Sequence, residues 1–209
     1  MNIFIHHRDL RINDNTTLIK MSNEVKDIIP IFIFTPEQID KSKNKYFSNI
    51  LVQFMCETLI ELKDDYNKNK SILNFYYGNS LDVIKELHNK YIINSIGFNS
   101  DYSPFAKKRD NEIIKWGNKN DVIIFCEEDM LLVPIMTGNT FKKNKDEPYK
   151  VFTPFKNYLK STYNVEDVNN KKIKLKNKSL KIKSSIDTKY FDNFYEEENN
   201  LNVKSGRKE

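Results

Sequence analysis

Apolar residues along this chain gather into short runs, and between the runs they recur every three or four positions. The runs are IFI at 3–5, IIPIFIF at 28–34, ILNFYY at 72–77, IINSIGF at 92–98 and VIIF at 122–125. Each is nearly continuous rather than alternating, the pattern of a strand buried on both faces of a sheet. Between the second and third runs, Phe47, Ile50, Leu51, Phe54, Met55, Leu59 and Leu62 are spaced as one helical stripe, which the pattern sets against that sheet. SLDVIKELHNKY at 80–91 predicts a further helix with Ser80 as N-cap and Leu81, Ile84, Leu87 and His88 along one face. His88 reads as a packed helix residue, because no second ligand stands at metal-binding spacing.

Strands alternating with helices over short connections predict an α/β fold, a Rossmann-like, doubly wound five-stranded parallel sheet over residues 1–130. In such sheets, ligands sit beyond the carboxyl ends of the strands where the winding reverses. With strand order 3-2-1-4-5, that crevice lies between the loop after the first strand (His6, His7, Arg8, Asp9) and the loop after the fourth (Asn99, Ser100, Asp101, Tyr102). After residue 130 the alternation stops. Residues 131–160 form an extension ending in an aromatic helix, with Tyr149, Phe152, Phe155, Tyr158 and Leu159 at helical intervals. Residues 161–209 read as a Lys- and Asn-rich linker with too few apolar residues to cover that helix.

Composition narrows the class. With 209 residues, 39% hydrophobic and 30% charged, the chain has room for one sizeable core and an appendage. The net charge of +5 is too modest to mark a nucleic-acid binder by itself. The stretch 171–189, however, holds eight lysines against one aspartate. It is either a solvated linker or a stripe touching phosphate. Cys56 and Cys126 lie apart in apolar runs, which suits reduced thiols in an intracellular protein, cytoplasmic or nuclear, and gives no metal site. No run approaches the roughly 20 residues of a membrane span. G-x-G-x-x-G, G-x-x-x-x-G-K and G-x-S-x-G are all absent, so neither a phosphate-cradling loop nor a nucleophile elbow is expected. Glu127, Glu128 and Asp129 are adjacent acids at a strand end, read as a solvated loop in preference to a general acid and base.

Three segments carry a resemblance. RDLRINDNTTL resembles the R-D-L-R-x-x-D-N-x-x-L opening of DNA photolyases and cryptochromes, and DYSPFAKKRD is similar to their D-x-x-P-Y-x-x-K-R-D segment. MTGNTFKKNKDEPYKVFTPFKNYL is similar to their M-T-G-x-x-Y-K-V-F-T-P-F run, and the final SGRKE to the G-G-x-x-E-A segment that opens their helical domain. The order is the family's, from Arg8 to Leu159. The resemblance implies an N-terminal domain carrying a light-harvesting antenna chromophore, and a FAD-binding helical domain, starting at about residue 205, that acts on damaged DNA.

Four readings are weighed. The resemblance implies the antenna domain of a DNA photolyase (deoxyribodipyrimidine photolyase-like, light-dependent DNA repair, a carbon–carbon lyase), incomplete or one half of a split enzyme and inactive alone. Alternatives are a cryptochrome-type photoreceptor domain, a free-standing nucleotide-binding α/β protein without light chemistry, or a basic interaction module using the 171–183 lysines. The antenna, of folate, deazaflavin or flavin type, is expected near His7, Arg8, Phe34, Asp101 and Phe105, with FAD only in the C-terminal domain. Phe105-Ala106 stands where the folate site of some bacterial photolyases has Asn-Glu, and His6-His7 where the family usually has an aromatic residue and Arg. Lys150, Lys156 and Lys160 are candidate DNA contacts, and Tyr149, Phe152, Phe155 and Tyr158 a docking surface for the helical half, supplied in cis or in trans. Within the opening turn, Arg8, Asp9, Arg11 and Asp14 are read in two ways: as mutually paired charges with Asp14 as a helix cap, or as a polar wall for the antenna.

Overall fold

The computed structural model describes residues 1–134, 147–164, 167–169, 173, 175, 184–198 and 205–206. β1 (Asn2–His6), β2 (Ile28–Phe34), β3 (Asn74–Tyr77), β4 (Ser95–Ser100) and β5 (Ile123–Glu128) form one all-parallel sheet in the order β3-β2-β1-β4-β5, as the pattern predicts. Pro30 sits inside β2 without breaking the sheet, because pairing with β3 begins only at Ile31. β4 and β5 run past their apolar stretches into Asn99-Ser100 and Glu127-Glu128, so the strands carry polar side chains up to the edge of the crevice.

Successive side chains of a strand face opposite sides, and here the sequence sorts them by type. Phe4, Phe32, Phe34, Phe75 and Phe125 face α1 (Thr16–Glu24) and α3 (Asn49–Lys68), which follows the single turn α2 (Pro36–Ile39). Ile3, Ile5, Ile29, Ile31, Ile33 and Ile96 face α4 (Ser80–Tyr91) and α5 (Pro104–Lys119). α1 lies over β4 and β5, an approach that Gly97 permits. A Cβ there would stand 2.7 Å from Met21 Sδ and 3.1 Å from the Phe4 ring.

Helix faces depart from the pattern in two places. On α3 the sheet is met by Val52, Cys56, Leu59, Leu62 and Tyr66, while Ile50, Leu51 and Phe54 point outward, 49%, 67% and 36% exposed. The first two turns of this helix are apolar almost all round, so spacing alone does not choose the inner stripe. On α4 the N-cap is Asn79, whose side chain accepts the Leu81 and Asp82 N–H groups, and Val83 replaces Leu81 on the buried face. His88 is packed as expected, its Nδ1 accepting the Ile93 N–H at 3.2 Å and its ring meeting Trp116 edge-on.

The linker is more than a solvated tether. Ile173 and Leu175, two residues apart among lysines, are buried in the core on the α1/α3 side. The rest of the lysine stretch 171–183, with its candidate phosphate contacts, lies outside the described residues. Further on, the Ser185 and Ile186 N–H groups donate to the Phe75 carbonyl, adding an antiparallel bridge to the outer edge of β3. A 3₁₀ helix (Thr188–Phe194) then seats Phe191, fully buried, against Phe34, Phe75 and Phe194 at 5.1, 5.0 and 6.0 Å between ring centroids. By contrast α6 (Phe152–Thr162) buries no residue. Tyr149 packs on Phe155 and Tyr158, and Phe152 is 72% exposed. If the linker is part of the core, Phe191→Ala will cost about 3–5 kcal/mol in urea unfolding, the range for emptying an aromatic site. A loss under about 0.5 kcal/mol would mean that the linker is not docked.

Candidate functional site

The turn after β1 is organised by three buried side chains. Asp9 Oδ1 accepts the His7 N–H at 2.9 Å, and its Oδ2 accepts from the side-chain amides of Asn15 at 2.8 Å and Asn99 at 2.7 Å. Asn15 Oδ1 caps α1 through the Leu18 N–H and takes a second bond from Asn99, whose own Oδ1 accepts the Thr17 N–H. The cap is therefore Asn15 and not Asp14, which sits at φ +54° and accepts the Asn169 N–H. Arg11 donates to the Asp14 carbonyl and, at 2.6 Å, to Asp129, which also accepts from the Thr16 N–H and hydroxyl. Nor are the three acids at the end of β5 a solvated loop. Glu127 pairs with Lys20, Glu128 accepts from the Tyr102 hydroxyl, and Asp129 is buried under Arg11.

Both histidines of this turn are neutral. His6 Nδ1 donates to the Asp9 carbonyl at 3.0 Å, which leaves Nε2 to accept from the Tyr66 hydroxyl at 2.7 Å. Burial holds its pKa below the ordinary value despite the nearby Asp9 carboxylate. His7 Nδ1 lies 2.8 Å from Arg109 Nη2, and a guanidinium only donates, so the proton sits on Nε2. Burial first and the Arg109 charge second push the His7 pKa well down. Its Nε2 is buried with no partner among the described residues.

Of the five expected ligand-site residues, His7, Arg8 and Asp101 lie just beyond the ends of β1 and β4, and Phe105 lines a small cleft that none of those three walls. Arg8, largely exposed, reaches across from β1 to Asp101 after β4, with Nη1 to Oδ2 at 3.7 Å. Asp101 also accepts the Ser103 N–H, and Ser103 caps α5. Phe105, half exposed on the first turn of α5, lines a cleft of about 130 Å³ with Thr35, Glu37, Ser80 and Arg109, beside His7. The Thr35 hydroxyl is buried there, in the capping box that starts α2. The fifth, Phe34, is elsewhere. Its ring is enclosed by Phe32, Phe75, Phe191 and Phe194, so it belongs to the core and offers no stacking surface. Sequence reading missed Thr35 and Arg109; Arg109 stands one turn after Phe105, which was the available signal. It also missed a more apolar pocket of about 630 Å³ on the other side of α2, walled by Ile39, Tyr77, Tyr190 and Phe194. Half of that wall comes from the linker. Among the described residues there is no cluster of metal ligands and no helix long and apolar enough to cross a membrane; Cys56 and Cys126 are free thiols.

A doubly wound parallel sheet with a polar crevice at its β1/β4 switch point is the architecture in which α/β domains place their ligands. The chain belongs to the DNA photolyase family, whose model matches residues 2–173. It is 28% identical over 161 residues to the deoxyribodipyrimidine photo-lyase of Buchnera aphidicola, covering 75% of this chain and 32% of that one. The archaeal photolyase of Sulfolobus tokodaii, solved with two FAD molecules, superposes with a TM-score of 0.79 at 30% identity, over 99% of this chain and 44% of that one. A Synechocystis cryptochrome shares the fold, with a TM-score of 0.77 at 14% identity, over 99% and 43%. The chain thus spans less than half the length of these relatives. Segment 136–146 of the third motif and residues 207–209 of the last lie outside the described residues.

The neutral histidines make stability pH-dependent. The unfolded chain binds a proton at each below about pH 6.5, whereas the folded chain resists until its lowered pKa is reached. Stability is therefore lost as pH falls from about 6.5 toward that lowered value, by at most about 1.4 kcal/mol per pH unit for each histidine, and no further below it. Urea unfolding at pH 7.5 and 5.5 is expected to show this loss, and His7→Gln to reduce it. An unchanged loss in the variant would mean that His7 titrates normally.

Proposed function

We propose that this chain is the light-harvesting half of a photolyase-type enzyme, holding an antenna chromophore at the β1/β4 crevice and working with a helical FAD-binding half that acts on damaged DNA. The observation that carries this is the Arg8–Asp101 pair across the β1/β4 switch point, with Phe105 half exposed four residues further on and the neighbouring His7 Nε2 buried without a partner among the described residues. A planar heteroaromatic chromophore suits such a set: an exposed aromatic ring stacks on it, and charged and N–H groups meet its polar edge. A cleft of about 130 Å³ is smaller than the roughly 300–1,000 Å³ of typical ligand pockets, so this half encloses only part of the chromophore. The Sulfolobus tokodaii relative, described with two FAD molecules and the implication of a novel light-harvesting cofactor, supports a flavin-type group over a folate. Such a group supplies absorption of light and transfer of its excitation. Arg8 and Asp101 orient it, and Phe105 covers one face.

The helical half supplies the remaining wall, and without it the chain reverses no lesions. Lys150, Lys156 and Lys160, exposed along α6, are the candidate phosphate contacts of the assembled enzyme. The Tyr149, Phe155 and Tyr158 rings with Phe152 are one candidate surface for the helical half. Titration of the purified chain with FAD, FMN, a deazaflavin and methenyltetrahydrofolate, followed by visible absorbance, tests the reading. Binding of one of them, weakened about tenfold or more in Asp101→Ala and in Phe105→Ala, is expected; that is about 1.4 kcal/mol. Binding of none, or affinity unchanged in both variants, would overturn the assignment of the crevice.

A further inference from the structure

The apolar pocket of about 630 Å³ beside α2 lies within the roughly 300–1,000 Å³ of typical small-molecule sites, and the antenna reading makes no use of it. Three of its walls are fixed by the core. Ile39, Ile186 and Phe194 pack against the aromatic layer of the sheet. The Phe194 ring sits 5.1 Å from that of Phe34, and Ile186 is held by its bridge to Phe75. The two remaining apolar walls are tyrosines that stand outside the core. Tyr77 ends β3 and Tyr190 lies on the 3₁₀ helix of the linker, 46% and 50% exposed. Two half-exposed phenol rings on a pocket already held in shape offer stacking area with little left to order on binding.

Three polar side chains complete the lining, and they are not equally available. Lys41 is spent on Glu196, to which it donates at 2.6 Å, and its Nζ stands 5.4 Å from the Phe47 ring centroid. Ser185 Oγ accepts the Tyr77 N–H at 3.2 Å, which ties the linker to β3. Asp40 Oδ1 accepts the Ser42 N–H at 2.9 Å and its hydroxyl at 2.7 Å. Those bonds hold the Asp40 carboxyl below its ordinary pKa, so it is charged, and its Oδ2 has no partner among the described residues. A carboxylate only accepts, and one oxygen has room for two donors. The flat ring that suits it presents two adjacent N–H groups. Guanine does so, through N1–H and its 2-amino group, whereas adenine sets an acceptor nitrogen beside its amino group. We propose that this pocket binds a guanine base, carried by a nucleoside or a nucleotide, with the ring against Tyr77 and Tyr190 and its N1–H and 2-amino groups donating to Asp40. The site does not depend on the antenna reading. Because its walls come from both the sheet and the linker, the ligand pins one to the other.

The test is calorimetric titration of the 209-residue chain with guanosine, GMP, inosine and adenosine. Saturable guanosine binding with a Kd below about 1 mM is expected, at least tenfold weaker for adenosine, with inosine between them because it lacks the 2-amino group. GMP separates the two carriers: affinity at or above that of guanosine assigns the pocket to nucleotides, lower affinity to nucleosides, and both keep the base. Asp40→Asn retains an oxygen for Ser42 and turns an amino group toward the ring; it and Tyr190→Ala are each expected to weaken guanosine at least tenfold. Neither side chain lies in the core, so the circular dichroism and melting of the free variants stay those of the wild type. Hydrogen exchange is expected to slow at 185–194 when guanosine binds. Absence of saturable binding, equal affinity for guanosine and adenosine, or unchanged affinity in both variants overturns the proposal. So does slowed exchange at 101–105 in place of 185–194, which would put the ligand at the crevice.

Discussion

The Asp9 carboxylate, buried between the amides of Asn15 and Asn99, is the interaction on which the rest of this domain depends. A buried carboxylate is tolerated only when its oxygens are satisfied, and here each donor comes from a different element: the His7 amide from the end of β1, Asn15 from the cap of α1, Asn99 from the end of β4. One side chain thereby joins the two strands at which the winding reverses. The crevice above takes its shape from that join, since His7 and Arg8 on one wall and Asp101 on the other are the immediate neighbours of the joined residues. The charge concentrated in the opening turn is mostly structural, and what remains above it is the largely exposed Arg8 with its Asp101 partner.

Much of this was legible in the sequence, and the parts that were not have physical reasons. Continuous apolar runs revealed five strands, because a strand covered on both faces leaves no polar alternation to misread. Helix-length crossovers implied parallel pairing, whereas the order 3-2-1-4-5, and with it the facing of the β1 and β4 loops, was assumed for a doubly wound sheet and is the order found. Phe34 was misplaced because strand position alone puts it at the crevice. What moves it to the core is Phe191, more than a hundred residues later and in a segment whose composition reads as solvated. The inner stripe of α3 was missed for the opposite reason, an excess of signal: with Ile50, Leu51, Val52, Phe54, Met55 and Cys56 in succession, both sides qualify. Asn15 was overlooked as a cap because the neighbouring Asp14 has equal chemical claim, and only the backbone, left-handed at 14 and extended at 15, decides between them.

The sorting of aromatic side chains to one face of the sheet and isoleucines to the other gives the two layers different work. Isoleucine, stiff at χ1, makes a compact layer under α4 and α5. The aromatic layer under α1 and α3 leaves larger gaps, into which Phe191 and Phe194 from the linker fit. That layer is built from both ends of the chain. The linker is consequently a structural member of the domain, and it also supplies half the wall of the apolar pocket beside α2.

Arg11 and Asp129 are 118 positions apart in sequence, and that separation bears on how the protein is made. The opening eighteen residues hold a buried carboxylate, the buried Asn15 amide and a helix start whose distant partners are Asn99 and Asp129. During synthesis from the N-terminus, these groups leave the ribosome long before those partners exist. The turn after the first strand therefore stays incomplete until the fourth and fifth strands emerge. The part of the sequence written first is among the last to settle, and a nascent chain halted before residue 129 would expose the very turn that the finished domain is built around.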